Sequence, residues 1–212
     1  MPGEGPESEG TEESGNMSPI THLLISWSVA NTSKINRRER TLVTLAGVLP
    51  DIDGAGLIYD FVVHRPGQPL ELWATYHHIL AHNIGFGLLL VISAFALSAR
   101  RWMTSLLVFI SFHLHLLCDL MGARGPDGDQ WPMPYLLPFS DTWQWVWAGQ
   151  WQLNAWPNFA ITIALILLTF FWAWKKGLSP LEIVSLRANR AFVSALRNRF
   201  GNPLPTEENG LQ

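Results

Sequence analysis

The chain has 212 residues, enough for one domain but short for two. Hydrophobic residues make up 48% and charged residues 15%, whereas soluble domains carry about 25% charge, so an ordinary soluble globule is disfavoured. A net charge of −3 gives no basis for expecting a nucleic-acid partner, and a single cysteine, Cys118, excludes an internal disulfide.

Residues 1–18 carry Glu4, Glu7, Glu9, Glu12 and Glu13 with no basic residue and almost no apolar one. Such a segment cannot bury enough surface to offset its ordering entropy, and a disordered acidic tail is expected. With no basic stretch ahead of an apolar run, no cleavable signal peptide is expected either. Five apolar stretches follow, at about residues 19–32, 41–49, 76–99, 102–121 and 156–174. Crossing a bilayer takes about 20 residues, with a range near 17–25. The third, fourth and fifth stretches meet that; the first two are short, suiting tilted, half-inserted or re-entrant segments. The fifth, with its run AITIALILLTFFWAW, is more apolar than a buried soluble helix requires. That weighs against the competing reading, a soluble bundle with very apolar cores. Eleven tryptophans also suit a membrane interface, where an amphipathic ring finds an apolar and a wet side.

Past Lys175 and Lys176, residues 180–199 read as one amphipathic helix. Leu181, Val184, Ala188, Ala191, Phe192 and Ala195 recur at helical spacing, and Arg187, Arg190, Arg197 and Arg199 supply charge. The pattern suits an anionic lipid surface, and equally a solvated helix docked on its own protein. The expected fold is all-α: a polytopic membrane helical bundle of about five segments, two of them short, plus this C-terminal helix. The expected organisation is a tail over 1–18, a membrane domain over 19–175, the amphipathic helix over 176–201 and a flexible tail over 202–212.

Loop charge orients the bundle. Short loops rich in Lys and Arg stay cytoplasmic. Lys34, Arg37, Arg38 and Arg40 lie between the first and second stretches, Arg100 and Arg101 between the third and fourth, and Lys175 and Lys176 after the fifth. Five crossings put these loops on one side. The opposite, non-cytoplasmic side receives the acidic N-terminus, the loop around residues 60–71 and the Trp-rich loop over about 122–155, with Asp127, Asp129 and Asp141 against Arg124.

Residues of metal-ligand type collect on that second side. His22 lies at the outer end of the first stretch and Asp51 and Asp53 at the outer end of the second. His77, His78 and His82 open the third, and His113, His115 and Asp119 close the fourth. Ionisable groups in membrane segments are costly, so they face one another, water or a metal. His115 and Asp119 are four apart, on one helical face, where imidazole and carboxylate can hold one ion; a simple His–Asp hydrogen bond is the competing reading. His78 and His82 also share a helical face, whereas His77 and His82 fit if the helix begins between them. Asp51 and Asp53, two apart, reach the same side of an extended chain. One would ligate while the other orients a ligand or accepts a proton, unless Pro50-Asp51-Ile52-Asp53-Gly54 is only a capped turn. His22, near a possible Thr21 cap, would more often be structural on its own. His113 points to another helical face, toward second-layer contacts or packing, and His64 is expected to be exposed. Trp143, Trp145, Trp147, Trp151 and Trp156 read as an interfacial belt that could form the lip of a lipid-like substrate site. No phosphate-binding glycine loop, nucleophile elbow or Cys-rich zinc ribbon is present.

The ordered series Thr21-His22-Leu23, Ala46-Gly47-Val48-Leu49-Pro50-Asp51-Ile52-Asp53, His77 to His82, His115-Leu-Leu-Cys-Asp119, Trp131-Pro132 and Leu137-Pro138-Phe139-Ser140 resembles a known family. That family is the membrane-bound metal-dependent hydrolases, also described as LexA-binding, inner-membrane-associated hydrolases; the resemblance covers about residues 19–175. His77 and His82 match the two histidines of its His-Arg-Gly-x-Thr-His-Ser pattern. His78, Ala81 and Asn83 stand at its Arg, Thr and Ser positions, so the arginine's contacts are not carried over. The H-x-x-x-D element is also similar to one in the zinc-dependent phospholipases C.

The reading that follows is a hydrolase of the inner membrane with its site on the non-cytoplasmic side. His22, Asp51, Asp53, His77, His82, His115 and Asp119 would bind one or more divalent ions, zinc on the strength of mixed N and O ligands. Asp51 or Asp53 would be the general base, and a (phospho)ester the substrate, with that of a lipid favoured because the site lies at headgroup depth. The ion would lower the pKa of water toward about 7 and polarise the scissile group. Two other readings stand beside it. One is a non-catalytic protein whose His–Asp network only joins helices. The other is a metal or proton transporter, which would need polar residues running through the membrane.

Overall fold

The structure, a computed structural model, describes residues 19–55, 79–124, 128, 130 and 132–203. The expected tail over 1–18, the loop around 60–71, Asp127, Asp129, Trp131, most of the C-terminal tail, and His64, His77 and His78 lie outside the described residues.

The described elements are helical. They are α1 (Pro19–Ala30), α2 (Arg37–Ala46), a 3-10 helix (Leu49–Ala55), α3 (Ile84–Leu97), α4 (Arg101–Gly122), α5 (Trp156–Lys176), the short α6 (Leu181–Val184) and α7 (Leu186–Phe200). Two isolated bridges, Arg124 with Gln152 and Met133 with Trp145, are the only β pairing among the described residues. α1 packs on α2, α4 and α5; α2 also packs on α3 and α4, and α3 on α4. The chain runs alternately down and up, so the start of α1, the end of α2, the start of α3, the end of α4 and the start of α5 gather at one end.

Small and β-branched residues let these helices approach. Ala30, Ile35, Val43, Ala46, Ala94, Leu107 and Val108 form one buried cluster, and Phe112, Leu116 and Met133 form another nearer the gathered end. The outer surface is apolar. α5 buries Asn158, Thr169 and Ala173 while Phe159, Ile163, Leu167, Phe170 and Phe171 are exposed. α3 buries only Gly87 and Ala94, and Leu88, Leu89 and Ile92 face outward. This inside-out pattern suits a hydrocarbon solvent and disfavours the soluble bundle.

α4 and α5, of 22 and 21 residues, are the described helices long and apolar enough to cross a bilayer; at 1.5 Å per residue they extend about 33 and 31 Å. The five-segment count is coarser in the structure. α1 and α3 are apolar but have 12 and 14 residues. α3 starts at Ile84 because the Asn83 side chain accepts from the Phe86 N–H and caps it, so the expected long third helix does not extend back over His82. α2 starts within the basic loop, where Asn36 and Glu39 make a capping box. Its first turn therefore carries the arginines, and it is not an apolar segment. The C-terminal helix is broken: Ser185 is extended, and its Oγ accepts from the Ala188 N–H to start α7.

The end opposite the gathered one is basic and tied by polar contacts. The Arg40 guanidinium is bidentate on Glu182, at 2.7 and 2.6 Å, and the Arg37 Nε–H donates to the Glu182 carbonyl at 2.7 Å. Glu39 accepts the Asn36 N–H at 2.9 Å and the Arg100 N–H at 2.7 Å, joining α2 to the α3–α4 turn. Burial opposes its charge, but these backbone donors, with that of Ala99, hold the Glu39 carboxyl below its ordinary value. Val193 and Leu196 dock α7 against Ala173 of α5. Docking on the protein thus accounts for one face of this helix; Leu186 and Phe200 remain exposed.

Candidate metal centre

The gathered end holds a cluster of imidazoles and carboxylates. α1 supplies His22, one turn from its start; the 3-10 helix supplies Asp51 and Asp53. The turn before α3 supplies His82, and the last turns of α4 supply His115 and Asp119. His22, Asp53, His82, His115 and Asp119 are buried and Asp51 is half-buried. His22, Asp51, His115 and Asp119 can each offer one ligand atom within 4.8 Å of the others. Four separate elements therefore reach one point.

Asp119 is central. Its Oδ1 lies 3.2 Å from His22 Nε2, and its Oδ2 lies 3.1 Å from His115 Nε2 and 3.3 Å from His82 Nε2. His115 Nε2 is also 3.1 Å from His82 Nε2 and 3.7 Å from Asp51 Oδ1. The His22 and His115 rings lie 3.9 Å apart, centroid to centroid.

The far nitrogens of two rings are held from outside the cluster. His82 Nδ1 lies 2.9 Å from Asp53 Oδ2, which also accepts the Ala81 N–H at 3.3 Å. His115 Nδ1 lies 3.0 Å from the Gly47 carbonyl. Only an N–H can satisfy these two oxygens, so the neutral rings carry their protons on Nδ1 and turn Nε2 lone pairs inward. Two imidazole Nε2 atoms and a carboxylate oxygen then meet within about 3.3 Å. Three acceptors in contact require a cation at their centre, either a proton or a metal ion. Both His22 ring nitrogens, Asp51 Oδ2 and Asp119 Oδ2 are buried without a protein hydrogen-bond partner in suitable geometry, which adds acceptor capacity for a larger cation. The residues present therefore fit a divalent ion with mixed N and O ligands.

The two aspartates separate by environment. Asp53 is committed to His82 and the Ala81 N–H, outside the converging set. Its Oδ2 therefore stands behind the His82 ring, at the nitrogen that faces away from Asp119. Asp51 faces His115. Burial pushes the Asp51 carboxyl above its ordinary value, against the pull of His115 and His22. His82 lies in a turn, and α3 begins after it; His78 lies outside the described residues. His77 lies outside the described residues. His113 stands apart from the cluster: Nδ1 contacts the Phe109 carbonyl and Nε2 the Tyr135 hydroxyl, each at 2.8 Å.

Several residues at the site have no signature in the sequence. The Gly47 carbonyl is one, a backbone group whose placement depends on a close helix contact. Gln150 donates to the Asp119 carbonyl at 2.9 Å, and Asn158 donates to the Gly122 and Leu153 carbonyls at 2.9 and 2.7 Å. The Trp-rich loop is thereby fastened to the end of α4 that carries the ligands. Tyr135 and Trp145 stack at 4.5 Å on the neighbouring side, and Trp143 and Trp147 remain exposed.

An apolar helical exterior around a buried His–carboxylate cluster defines an integral membrane protein with a site able to hold a metal ion. The YdjM inner membrane protein family profile matches residues 17–195, and the chain belongs to that family. No curated protein and no solved structure matches the chain.

Proposed function

We propose that the chain is a membrane-embedded, metal-dependent hydrolase acting on a (phospho)ester, with a phosphoester in a lipid as the preferred class. The observation that carries this reading is the meeting of His82 Nε2, His115 Nε2 and Asp119 Oδ2, with both outer imidazole nitrogens held by Asp53 and Gly47. His22, Asp51, His82, His115 and Asp119 would hold the ion, and zinc is the first choice for that donor set. Bound there, a divalent ion would supply Lewis acidity and an activated water near neutral pH.

The chain's own groups have distinct parts in this reading. Asp53 and the Gly47 carbonyl keep two rings aimed inward. Asp51, with Oδ2 buried and unpartnered, accepts the proton of the attacking water. Of the two candidates for general base, Asp51 is favoured because Asp53 is already engaged with His82. The loop-charge pattern favours the non-cytoplasmic side for this end. A lipid substrate is favoured by a site set at the end of the spanning helices, beside the Trp-rich loop.

The test is metal analysis of the purified full chain, with turnover of a lipid phosphoester and of a soluble phosphoester measured before and after chelation. The expected result is stoichiometric zinc, lost together with turnover in a double His115→Ala, Asp119→Ala variant. A protein that holds no metal, and whose lipid phosphoester turnover is the same in that variant, overturns the proposal. It would leave the network as a structural clasp between helices.

A further inference from the structure

The opposite end of the molecule carries two adjoining hollows that the cluster does not use. On one side of α7, Leu167, Phe170, Phe171 and Trp174 of α5 and Leu196 and Phe200 of α7 line an open groove of about 410 Å³. The α5 members recur at three- and four-residue spacing, a stripe along one helical face. Every lining side chain is apolar apart from the indole N–H of Trp174, which is donated to the Gly201 carbonyl. Next to it lies a polar hollow of about 390 Å³. Asn189, Arg190, Ser194, Arg197, Asn198 and Asn202 contribute its polar side chains. Among the described residues no carboxylate lines either one, and α7 has four arginines and no acid.

The hollows meet within a turn on both helices. Leu196 and Arg197 are neighbours, and the Arg197 Nε–H donates to the carbonyl of Trp174 at 3.2 Å. That bond holds the guanidinium at the C-terminus of α5 while the Trp174 ring lines the groove.

We propose that the two hollows together bind one anionic phospholipid, its phosphate among Arg190, Arg197 and the neighbouring amide and hydroxyl groups, and an acyl chain along the α5 stripe. Charge complementarity selects the anionic head: basic pockets beside spanning helices take such headgroups. Continuity of the groove with the exposed apolar face of α5 selects a lipid over a free anion. α7 is then an interfacial helix that reads the leaflet on the basic side.

Native mass spectrometry of the full chain in detergent tests this, titrating dioleoyl phosphatidylglycerol, dioleoyl phosphatidylcholine and inorganic phosphate. Phosphatidylglycerol should bind most tightly. Arg190, which is exposed, should contribute about fivefold, the equivalent of one charge at a lipid surface. Arg190→Gln should therefore weaken phosphatidylglycerol about fivefold, leave phosphatidylcholine unchanged and leave the melting temperature unchanged. Leu167→Ser should weaken both lipids. Equal affinity for the two lipids, or phosphatidylglycerol binding unaltered in both variants, overturns the proposal. Inorganic phosphate binding as tightly as phosphatidylglycerol overturns the acyl-chain half of it.

Discussion

Gly47 couples helix packing to the candidate metal centre, and replacing it by alanine separates the two effects. An added Cβ would overlap Ser26 Oγ, lie 2.7 Å from Ser26 Cβ and lie 3.4 Å from the Ser111 carbonyl. The first two contacts are far inside van der Waals distance, and both involve α1, which carries His22. Overpacking of this kind costs about 1–3 kcal/mol. The same shift would carry away the Gly47 carbonyl, which holds His115 Nδ1 at 3.0 Å. Loss of such an outer contact typically lowers metal affinity about 10–100-fold. Gly47→Ala should therefore lower the melting temperature in detergent and weaken zinc in a competitive chelator titration. Ser26→Ala in the same chain should recover only part of this, because it keeps the Cβ that sits at 2.7 Å. Ser26→Gly should recover most of both. A Gly47→Ala protein that melts and binds zinc as the wild type does would refute the packing argument. Recovery of stability by Ser26→Gly without recovery of zinc would refute the coupling.

Three further outcomes follow from contacts already described. Asp53→Asn keeps the volume but weakens the acceptor that holds His82 Nδ1, so zinc affinity should fall about 10–100-fold; an unchanged chelator titration would count against the holding role. Glu39 has a folded value below its ordinary one, near 4.5. Its contribution is thus fully present above that ordinary value and is lost as pH falls through the folded value. Melts between pH 3 and 6 should show this decline, and Glu39→Gln should flatten it. Arg40→Met would leave the Glu182 carboxylate, 1% exposed, without its bidentate partner, a loss of about 3–5 kcal/mol. The double change Arg40→Met, Glu182→Leu should recover most of that, as read by denaturant melts.

Much of the site's placement is legible in the sequence because it follows from alternation. Once the apolar stretches are counted, His22, Asp51, His82 and Asp119 fall at one end whatever the detailed packing. The His115–Asp119 pair is legible too, since four residues on a long helix give one face. The division of labour between Asp51 and Asp53 is not. In an extended chain they are equivalent, and only the 3-10 turn and the arrival of His82 on one of them make them differ. The start of α3 was hidden for a related reason. An apolar run through Ile79, Leu80 and Ala81 looks continuous with a helix, yet the Asn83 cap wins locally and leaves His82 in a turn. Gly47 falls within the series that carries the family resemblance, but neither it nor Ser26 is marked for its role, because that role is a contact between two segments.

The cap at Asn83 and the bond at Gly47 explain how so many acceptors can be held together without a soluble-type core around them. A histidine inside a helix has its ring direction limited by the preceding turn, and His115 obeys that limit, reaching Asp119 one turn along. His82 is free of it, because Asn83 ends the turn before α3 begins. Its ring can therefore enter the cluster from a direction that no helical residue of α3 could take, with Nδ1 meeting Asp53 behind it. The same logic applies to Asp51, on a tight 3-10 turn after α2. His115 and Asp119 on the long α4, with His22 on α1, set the depth of the site, and His82 and Asp51 on short irregular segments close it. Moving the cap is therefore the more damaging change. Asn83→Ala should leave α4 and the His115–Asp119 pair in place yet release His82, weakening zinc with little loss of helix content by circular dichroism. A variant that instead loses helix in proportion to zinc would show that His82 is held by the bundle as a whole and not by its turn.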